Sequence, residues 1–453
     1  MNWFSVVSCP LSAGRPPGEK VRTTDNRQLT TIAAFVLLLF LSCSERPRNH
    51  LTFWALGREG EVVAQMIPEF ERRTGIDVEV QQLPWTAAHE KLLTAYVGES
   101  VPDVAQVGNT WIPEFEAINA VDDLTARVAS SKSVDRSDYF DGIWATNEIG
   151  GRTYGIPWYV DTRVLFYRTD LLAAAGFPNA PRTWSEWRTA MARLRQRGHY
   201  GILLPTDEWP QPVILALQSG SVLVNENGEA AFRDPRFHEG FDFYVSLFRD
   251  DYAPVFSRTQ VANRYLQFAQ GEFAMMITGP WEVAEFRTRI PADKQNVWTT
   301  APLPARDGTP WPGVSLAGGS SLVIFRQSER KDAAWKLIEY LSEPAQQIRF
   351  FELMRNLPAR KSAWNAPVLR DDPHLRAFRI QLDRTVPTPK IPEWERLATM
   401  IAEYGERAIR TRATTKQVAA ALDANANQIL AKRRWMLARK AEAPLQEERR
   451  EEP

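Results

Sequence analysis

The spacing of apolar residues at the start of the body of the chain predicts strands alternating with helices. Residues 51–54 form a short apolar strand candidate, and the apolar residues of 61–73 share one helical face. Residues 76–80 alternate apolar and acidic positions, which is the period of a strand with one polar side. Together they predict a βαβ unit with parallel strands and a right-handed crossover. Pro68 predicts a kink or a late start of the helix.

The same alternation continues along the rest of the body. The next predicted elements are a helix near 87–96, strands at 104–107 and 164–167, and a helix at 171–175. Asn227 and Gly228 separate two short apolar runs and predict a hairpin. Asp234 and Pro235 predict the N-cap and first position of a further helix. This order of elements is typical of an α/β fold.

A short apolar run precedes the body. Residues 32–41 (IAAFVLLLFL) are far fewer than the roughly 20 that a membrane-spanning helix needs, and basic residues precede them, so they predict a signal-peptide core. The run ends at Ser42 and Cys43, which resembles a bacterial lipoprotein processing site, although Phe40 stands in place of the usual Leu. This resemblance implies acylation of Cys43 and an exported, membrane-anchored protein; simple secretion is the alternative.

Composition narrows the classes of partner. The 453 residues favour two lobes over one core, and 55 basic residues balance 55 acidic ones. This balance removes the electrostatic argument for binding nucleic acid or an anionic membrane across the whole surface. The only other cysteine, Cys9, would leave with the leader, so we expect no disulfide in the mature protein. Sixteen Trp residues point to a search for a cleft in which rings stack on a ligand.

Four blocks of sequence then resemble one family. Residues 268–281 (FAQGEFAMMITGPW) are similar to the F-x-x-G-x-x-A-M-x-x-x-G-x-W stretch of bacterial extracellular solute-binding proteins, which deliver sugars to ABC importers. The other blocks are residues 154–172, followed by Thr183 to Trp187, then 318–341 and 357–360. All stand in the family's order, and the resemblance covers about residues 51–430.

The resemblance implies a two-lobed periplasmic-binding-protein fold of type II, in which each lobe is a mainly parallel sheet flanked by helices. The expected segments are a leader at 1–42, a lipoprotein linker at 43–50, lobe 1 at 51–160 and 316–360, lobe 2 at 161–315 and 361–430, and a charged stretch at 431–453 that we expect to be a frayed helix ending in a disordered tail. The chain should cross between lobes near 158–162 and near 315–319. Gly318 and Gly319 can absorb the torsional change that closure of the lobes requires.

A sugar presents C–H faces and paired hydroxyls, so a sugar site combines aromatic rings with carboxylates, amides or arginines. By analogy with the maltose and trehalose binders, the resemblance implies a cleft lined by Arg58, Glu59, Asn109, Thr110, Trp111, Trp158, Tyr159, Asp161, Trp281, Gly318, Gly319 and Arg360. Trp281 follows a Gly-Pro turn at a predicted strand end, and ligands of open α/β sheets bind beyond strand ends. Asn109 and Thr110 depart from the acid that many relatives carry before the aromatic residue.

Several of these residues also fit structural roles. Glu59 suits a helix N-terminus, Asp161 a turn, and Arg360 a salt bridge between lobes. Trp158 and Tyr159 fit packing as well as ligand contact. The amphipathic patterns around Trp184, Trp187 and Trp335 predict core positions, whereas Trp209, Trp311 and Trp394 lie beside prolines in loops and fit either the rim of a cleft or surface packing.

Catalytic and cofactor patterns are missing from the sequence. Residues 313–317 lack the closing glycine of a nucleophile elbow, and Leu93 stands where a zinc motif starting at His89 needs histidine. The five histidines are scattered and there is no phosphate-binding loop. We therefore expect no metal, no cofactor and no catalysis, with ATP hydrolysis left to a separate subunit.

The sequence thus predicts a monomeric extracytoplasmic protein that captures a di- or oligosaccharide by hinge closure and delivers it to an ABC permease. Two alternatives stay open. A secreted glycosidase would also need an aromatic cleft with two carboxylates, for which Glu59 and Asp161 are candidates. A ligand-sensing lipoprotein would present its closed form to a membrane sensor instead of a permease.

Overall fold

A computed structural model describes residues 49–261 and 263–439. Its strands are β1 His50–Leu56, β2 Asp77–Leu83, β3 Val104–Gly108, β4 Glu148–Ile149, β5 Arg152–Thr153, β6 Ile156–Asp161, β7 Val164–Arg168, β8 Met275–Thr278, β9 Trp298–Ala301, β10 Ser315–Leu316, β11 Gly318–Ile324, β12 Leu357–Pro358 and β13 Thr385–Val386. Predicted leader, linker and acylation residues before 49 lie outside the described part of the chain, as does the stretch from 440 onward.

Helices flank these strands. They are α1 Gly57–Ala64, α2 Ile67–Thr74, α3 Trp85–Val97, α4 Ile112–Ala117, α5 Thr125–Ser130, α6 Asp141–Ala145, α7 Thr169–Ala174, α8 Trp184–Gln196, α9 Pro210–Gln218, α10 Pro235–Arg249, α11 Arg264–Gln270, α12 Trp281–Arg289, α13 Lys331–Ser342, α14 Pro344–Met354, α15 Pro367–Arg370, α16 Arg376–Leu382, α17 Trp394–Arg410 and α18 Thr415–Ile429. Residues 431–439 form a further helix at the start of the predicted tail.

The larger sheet has six strands in the order β12-β6-β11-β3-β1-β2. β1 pairs in parallel with β2 and with β3, which confirms the predicted βαβ unit. β11 is antiparallel to both β3 and β6, because the chain enters this sheet again at β11 from the other sheet. The sheet is therefore mixed, and the expectation of mainly parallel pairing is corrected.

The smaller sheet has three strands in the order β8-β7-β9. Both outer strands pair antiparallel with β7, so the parallel expectation is corrected here too. Trp184 and Trp187 of α8 are buried beside this sheet, and Trp335 of α13 is buried in the core that includes the larger sheet. All three confirm the core positions that the helical patterns predicted.

Two short segments join the sheets. Thr162 and Arg163 connect β6 of the larger sheet to β7 of the smaller one, and Ala317 connects β10, which pairs with β13 in a separate two-stranded sheet, to β11 of the larger sheet. The Ser315 hydroxyl donates to the Arg163 carbonyl (2.9 Å) and accepts from the Arg163 N–H (3.2 Å), so the two connections are held side by side. Gly319 has φ 125°, and a Cβ there would lie 2.3 Å from the Tyr159 carbonyl oxygen. Only glycine fits this close approach.

Pro68 and Asp234 mark the starts of two helices, α2 and α10. Pro68 lies in the first turn of α2, so the single predicted helix at 61–73 is divided into α1 and α2, as a late start at this proline requires. The Asp234 carboxylate accepts from the Arg236 N–H (2.8 Å) and caps α10, which confirms the predicted N-cap. Within residues 49–261 and 263–439, no helix is long and apolar enough to span a membrane.

Candidate functional site

A cleft of about 500 Å³ lies between the two sheets. On one side it is formed by residues that follow β1, β2 and β3, whose carboxyl ends meet because these strands are parallel. On the other side it is formed by the turn after β8 and by the start of α9. Ligands of α/β sheets bind beyond strand ends of this kind, so the topology places this cleft where a binding site is expected.

Nine of the predicted site residues line the cleft together. They are Glu59, Asn109, Thr110, Trp111, Tyr159, Asp161, Trp281, Gly318 and Gly319. They come from positions up to 260 residues apart, and the fold brings them to one place through the ends of β1, β3, β6 and β8 and the start of β11. Their roles in binding remain predictions.

Indole rings border the cleft on both sides. Trp85 and Trp111 meet edge to face, with ring centroids 5.9 Å apart, on the side of the larger sheet. Trp209 and Trp281 lie on the side of the smaller sheet. Trp281 is 42% exposed, and the Arg163 guanidinium lies over its ring at 4.6 Å from the centroid. Rings held in this way offer flat apolar surfaces with polar edges, which suits the C–H faces of a sugar.

A buried carboxylate lies at the base of the cleft. Glu59 is 6% exposed and accepts from the Tyr159 hydroxyl (2.9 Å), with longer contacts from the Trp85 indole N–H and the Asn356 amide (both 3.4 Å). Burial, and then the charge of Glu59, hold the pKa of Tyr159 well above its usual value. Tyr159 therefore stays protonated and donates a hydrogen bond to Glu59 Oε1, while Glu59 Oε2 has only the longer contact from Trp85.

Asn109 and Thr110 are occupied by contacts that join the two sides of the cleft. The Asn109 amide donates to the Ala317 carbonyl (3.1 Å), next to the second connection between the sheets. The Thr110 hydroxyl donates to Glu395 of α17 (2.6 Å). These two polar residues therefore tie the end of β3 to the connection and to α17.

Asp161 and Arg163 form an ion pair at the first connection between the sheets. The Arg163 guanidinium donates to Asp161 Oδ1 at 2.9 Å, and both side chains are partly buried. Gly318 lies against the same carboxylate, because a Cβ there would be 2.2 Å from Asp161 Oδ1. Because residue 318 has no side chain, there is room for this ion pair.

The structure places three predicted site residues away from the cleft. Arg58, at the start of α1, is exposed and does not line the cleft. Trp158 is 1% exposed and packs on Phe350, with ring centroids 4.4 Å apart. Trp158 is therefore a core residue.

Arg360 is also outside the cleft. Its guanidinium is buried, donates to Asp138 at 2.6 Å and lies over the Tyr139 ring. Asp138 belongs to the segment 51–160 and Arg360 to the segment 316–360, and both segments are parts of the predicted lobe 1. The ion pair therefore does not join the two predicted lobes. The expectations of a ligand contact and of an interlobe salt bridge are both corrected.

Several lining residues were missed by the sequence reasoning. They include Trp85, Arg163, Met354, Asn356 and Thr388. For Trp209 the sequence left two possibilities open, the rim of a cleft or surface packing, and it lines the cleft. Trp85 and Arg163 lie just beyond the ends of β2 and β6, so the strand-end rule that was applied to Trp281 could have found them. Asn356 and Thr388 lie far along the chain near short strands, and no local pattern marks them.

Two carboxylates, Glu59 and Asp161, line the cleft. Each carboxylate already has a fixed donor: Tyr159 for Glu59 and Arg163 for Asp161. Among the residues that the structure describes, no group of three or more His, Cys, Asp and Glu side chains could hold a metal ion. The cleft thus combines aromatic surfaces, a buried acceptor and an ion pair.

Comparisons with known proteins agree with this geometry. The model of the family described as bacterial extracellular solute-binding protein matches residues 54–348. The sugar-binding protein MalE from Xanthomonas citri, whose structure is solved, is 44% identical, with a TM-score of 0.83, and the match covers 86% of this chain and 99% of that chain. This similarity confirms the predicted two-lobed α/β fold of type II periplasmic binding proteins.

Two curated relatives share more distant similarity. The diacetylchitobiose binding protein DasA of Streptomyces coelicolor is 27% identical over 301 residues, which is 64% of this chain and 68% of that protein. An uncharacterized lipoprotein encoded 5′ of oleD in Streptomyces antibioticus is 26% identical over 394 residues, which is 81% of this chain and 85% of that protein.

Proposed function

Because this chain belongs to the bacterial extracellular solute-binding protein family, we propose that it captures a di- or oligosaccharide and delivers it unchanged to the permease of an ABC importer. Support comes from the named sugar-binding proteins among its relatives, MalE and the diacetylchitobiose binding protein. The permease subunits and a separate ATPase are its proposed partners, and the chain acts as a monomer without cofactor.

The observation that carries this proposal is the pairing of indole rings with buried polar groups in one cleft. Trp111 and Trp281 come from opposite sides of the cleft, so a ligand between them contacts both. Glu59 supplies an acceptor that water reaches poorly, where a hydrogen bond to a ligand hydroxyl is stronger than at the surface. Stacking and hydroxyl recognition together are what a neutral sugar requires.

Closure of the two lobes is the proposed response to binding. Ligand contacts on both sides stabilise the closed form only to the extent that they are absent from the open form. The connections at Arg163 and Ser315 lie next to each other and can bend together, and Gly319, which has φ 125°, lacks the Cβ that restricts backbone torsion. The permease then recognises the closed form.

Export and anchoring are proposed from Cys43, which lies outside the described residues. The relative from Streptomyces antibioticus bears the description lipoprotein, in line with acylation at this position. Mass spectrometry of the protein purified from membranes should show a peptide that begins with Cys43 and carries a diacylglyceryl group on its sulfur, with or without a further acyl group on its amino nitrogen. An unmodified N-terminus would contradict the anchor and leave the binding proposal intact.

Trp281→Ala tests the proposed sugar site. Loss of one stacking surface should weaken binding by about 1 kcal/mol or more, which is about fivefold in dissociation constant. A thermal-shift screen of mono-, di- and trisaccharides identifies the ligand first, since a ligand at 100 times its dissociation constant stabilises by roughly 2.7 kcal/mol. Calorimetric titration of the best sugar then compares the variant with the native protein.

Trp435→Ala is the matched control, because Trp435 is also exposed with an arginine, Arg439, over its ring at 4.3 Å, but lies outside the cleft. It should bind sugar as the native protein does. Unchanged affinity in Trp281→Ala would contradict the proposed site. Shorter products after incubation with the best oligosaccharide would instead favour a glycosidase.

A further inference from the structure

The helix at 431–439, which we call the basic helix, concentrates positive charge in one place. Residues 431–440 (AKRRWMLARK) contain five basic side chains and no acidic one, although the charge of the whole chain is balanced. The helix begins directly after α18, where the Arg434 N–H donates to the Leu430 carbonyl (3.0 Å). Because this charge is local, the balance over the whole chain does not exclude an acidic partner here.

One side of the basic helix is held against the body of the protein. The Arg433 guanidinium pairs with Glu393, just before α17, at 2.8 Å. A Cβ at Gly228 would lie 3.0 Å from Arg433 Cγ and 3.1 Å from Leu437 Cδ1, so the turn at Gly228 packs on the same side. These contacts fix which side of the basic helix meets solvent.

The opposite side combines two cations with two apolar side chains. Positions 432, 435, 436 and 439 share one helical face, which we call the outer face, and they hold Lys432, Trp435, Met436 and Arg439, all exposed. Trp435 is 56% exposed, and the Arg439 guanidinium lies over its ring at 4.3 Å. The outer face therefore leaves apolar surface in water between two positive charges.

A membrane surface with acidic lipids matches both properties of the outer face. Indole rings favour the boundary between lipid headgroups and acyl chains, where Trp435 and Met436 would lose contact with water. Lys432 and Arg439 can lay their apolar stems along that boundary and direct their charges to lipid phosphates. A neutral lipid surface would leave these two charges without counter-charges, and a soluble polyanion would leave Met436 in water.

We propose that the outer face of the basic helix binds the surface of a membrane that contains acidic lipids. This contact goes beyond sugar capture, since none of the four side chains lines the cleft. It requires no acyl group on Cys43, so it is separable from the proposed anchor. In an anchored protein it supplies a second attachment, and a basic surface is a common companion of an acyl anchor.

Co-sedimentation with vesicles tests this proposal on the mature chain. Residues 43–453 are produced without the leader, so that Cys43 carries no acyl group. Vesicles that mix phosphatidylglycerol with phosphatidylcholine present the acidic surface, and vesicles of phosphatidylcholine alone present the neutral one. The native protein should favour the acidic vesicles by about 20-fold, because each of two cations contributes about fivefold at such a surface. This preference should weaken as the salt concentration rises.

Two variants separate the apolar and the charged parts of the outer face. Trp435→Ala should lower the partition onto acidic vesicles by about fivefold, since it removes the largest apolar side chain of that face. Lys432→Glu combined with Arg439→Glu should abolish the preference for acidic vesicles. Because all three side chains are exposed, both variants should keep the melting temperature and the sugar affinity of the native protein.

Each variant has a matched control. Trp311 is 37% exposed and lies under the Arg182 guanidinium at 4.9 Å, so Trp311→Ala removes a similar ring elsewhere. Arg412→Glu combined with Lys416→Glu makes the same change in net charge at exposed positions near the start of α18. That helix is about 22 Å long, which is more than two Debye lengths at physiological salt. Both controls should partition as the native protein does.

Equal partition of the native protein onto acidic and neutral vesicles would overturn the inference. Equal losses in the two double charge variants would also overturn it, because net charge alone would then explain the binding. If vesicles are not bound and Trp435→Ala instead dissociates a dimer in analytical ultracentrifugation, the outer face contacts a second copy of the chain and the membrane proposal is wrong. None of these results depends on the sugar site, so a failure of the proposed sugar binding is distinguishable from a failure here.

Discussion

At the scale of single residues, the Tyr159 hydroxyl is the nearest hydrogen-bond donor to the buried carboxylate of the cleft, Glu59. It donates to Glu59 at 2.9 Å and accepts from Gln106 (3.3 Å) and Ser320 (3.2 Å). Tyr159→Phe would leave Glu59 with only its two longer contacts. A buried acceptor that loses its donor costs about 1–3 kcal/mol, so we expect a loss of that size in the free energy of unfolding measured in urea.

Tyr96→Phe provides the comparison. The Tyr96 hydroxyl also donates one hydrogen bond, to the Ile118 carbonyl (2.8 Å), but at an exposed position where water can replace it. We expect the free energy of unfolding to fall less in Tyr96→Phe than in Tyr159→Phe. Equal losses in the two variants would show that the buried carboxylate does not depend on Tyr159.

The residues predicted from the sequence that line the cleft lie both after strand ends, as Trp281 does, and within strands, as Tyr159 does. Trp281 was predicted because a Gly-Pro turn presents it at the edge of a sheet, whereas Trp111 was predicted from the family resemblance. Trp158 and Tyr159 are neighbours in β6, whose residues up to Val160 are all buried, so alternation cannot tell which side chain faces the cleft. Arg360 pairs with Asp138, which lies 222 residues away, and no local pattern reveals such a partner.

At the scale of elements, the start of α10 depends on one carboxylate. Asp234 accepts from the Arg236 N–H and also from its side chain. Asp234→Ala removes the cap, so we expect a loss of about 1 kcal/mol in the free energy of unfolding. Asp242→Ala, at an exposed position within the same helix, should change stability much less.

The pH dependence of this loss follows from the pKa of Asp234. The side-chain hydrogen bond from Arg236, with that from the backbone, lowers this pKa from 3.8 to about 2. A lowered pKa in the folded state means that the cap stabilises fully above about pH 4 and progressively less as the pH falls toward 2. The difference in free energy of unfolding between the native protein and Asp234→Ala, measured by urea titration, should therefore shrink as the pH falls across that window. A constant difference would contradict the role of the ionised carboxylate.

Most elements could be predicted from the sequence, but the pairing of strands could not. The period of residues 76–80 and the cap at Asp234 are local signals, and both elements are present. The direction of β11 depends on a connection between the two sheets that brings the chain back after some 150 residues. Its antiparallel pairing with β3 is a property of the whole topology, which local patterns do not contain.

At the scale of the whole molecule, few polar contacts join the two sides of the cleft at its edge. Thr110 donates to Glu395 of α17, and the Lys390 ammonium donates to the Glu148 carbonyl (2.6 Å). Thr110 and Glu148 belong with the larger sheet, whereas α17 packs in the core of the smaller one. These contacts exist only while the two sides are close, so they contribute to the free-energy difference between closed and open forms.

Thr110→Val should therefore move the ligand-free protein toward the open form. The substitution keeps the shape of the side chain and removes the donor to Glu395, and a hydrogen bond of this kind contributes about 1 kcal/mol. Because ligand binding must then supply that difference, sugar affinity should fall by about fivefold. Small-angle X-ray scattering should show a larger radius of gyration without sugar and a native value at saturation. Thr189→Val, whose hydroxyl donates to the Ser185 carbonyl within α8, should change neither quantity. An unchanged radius and affinity in Thr110→Val would mean that closure is governed by the connections at Arg163 and Ser315 alone.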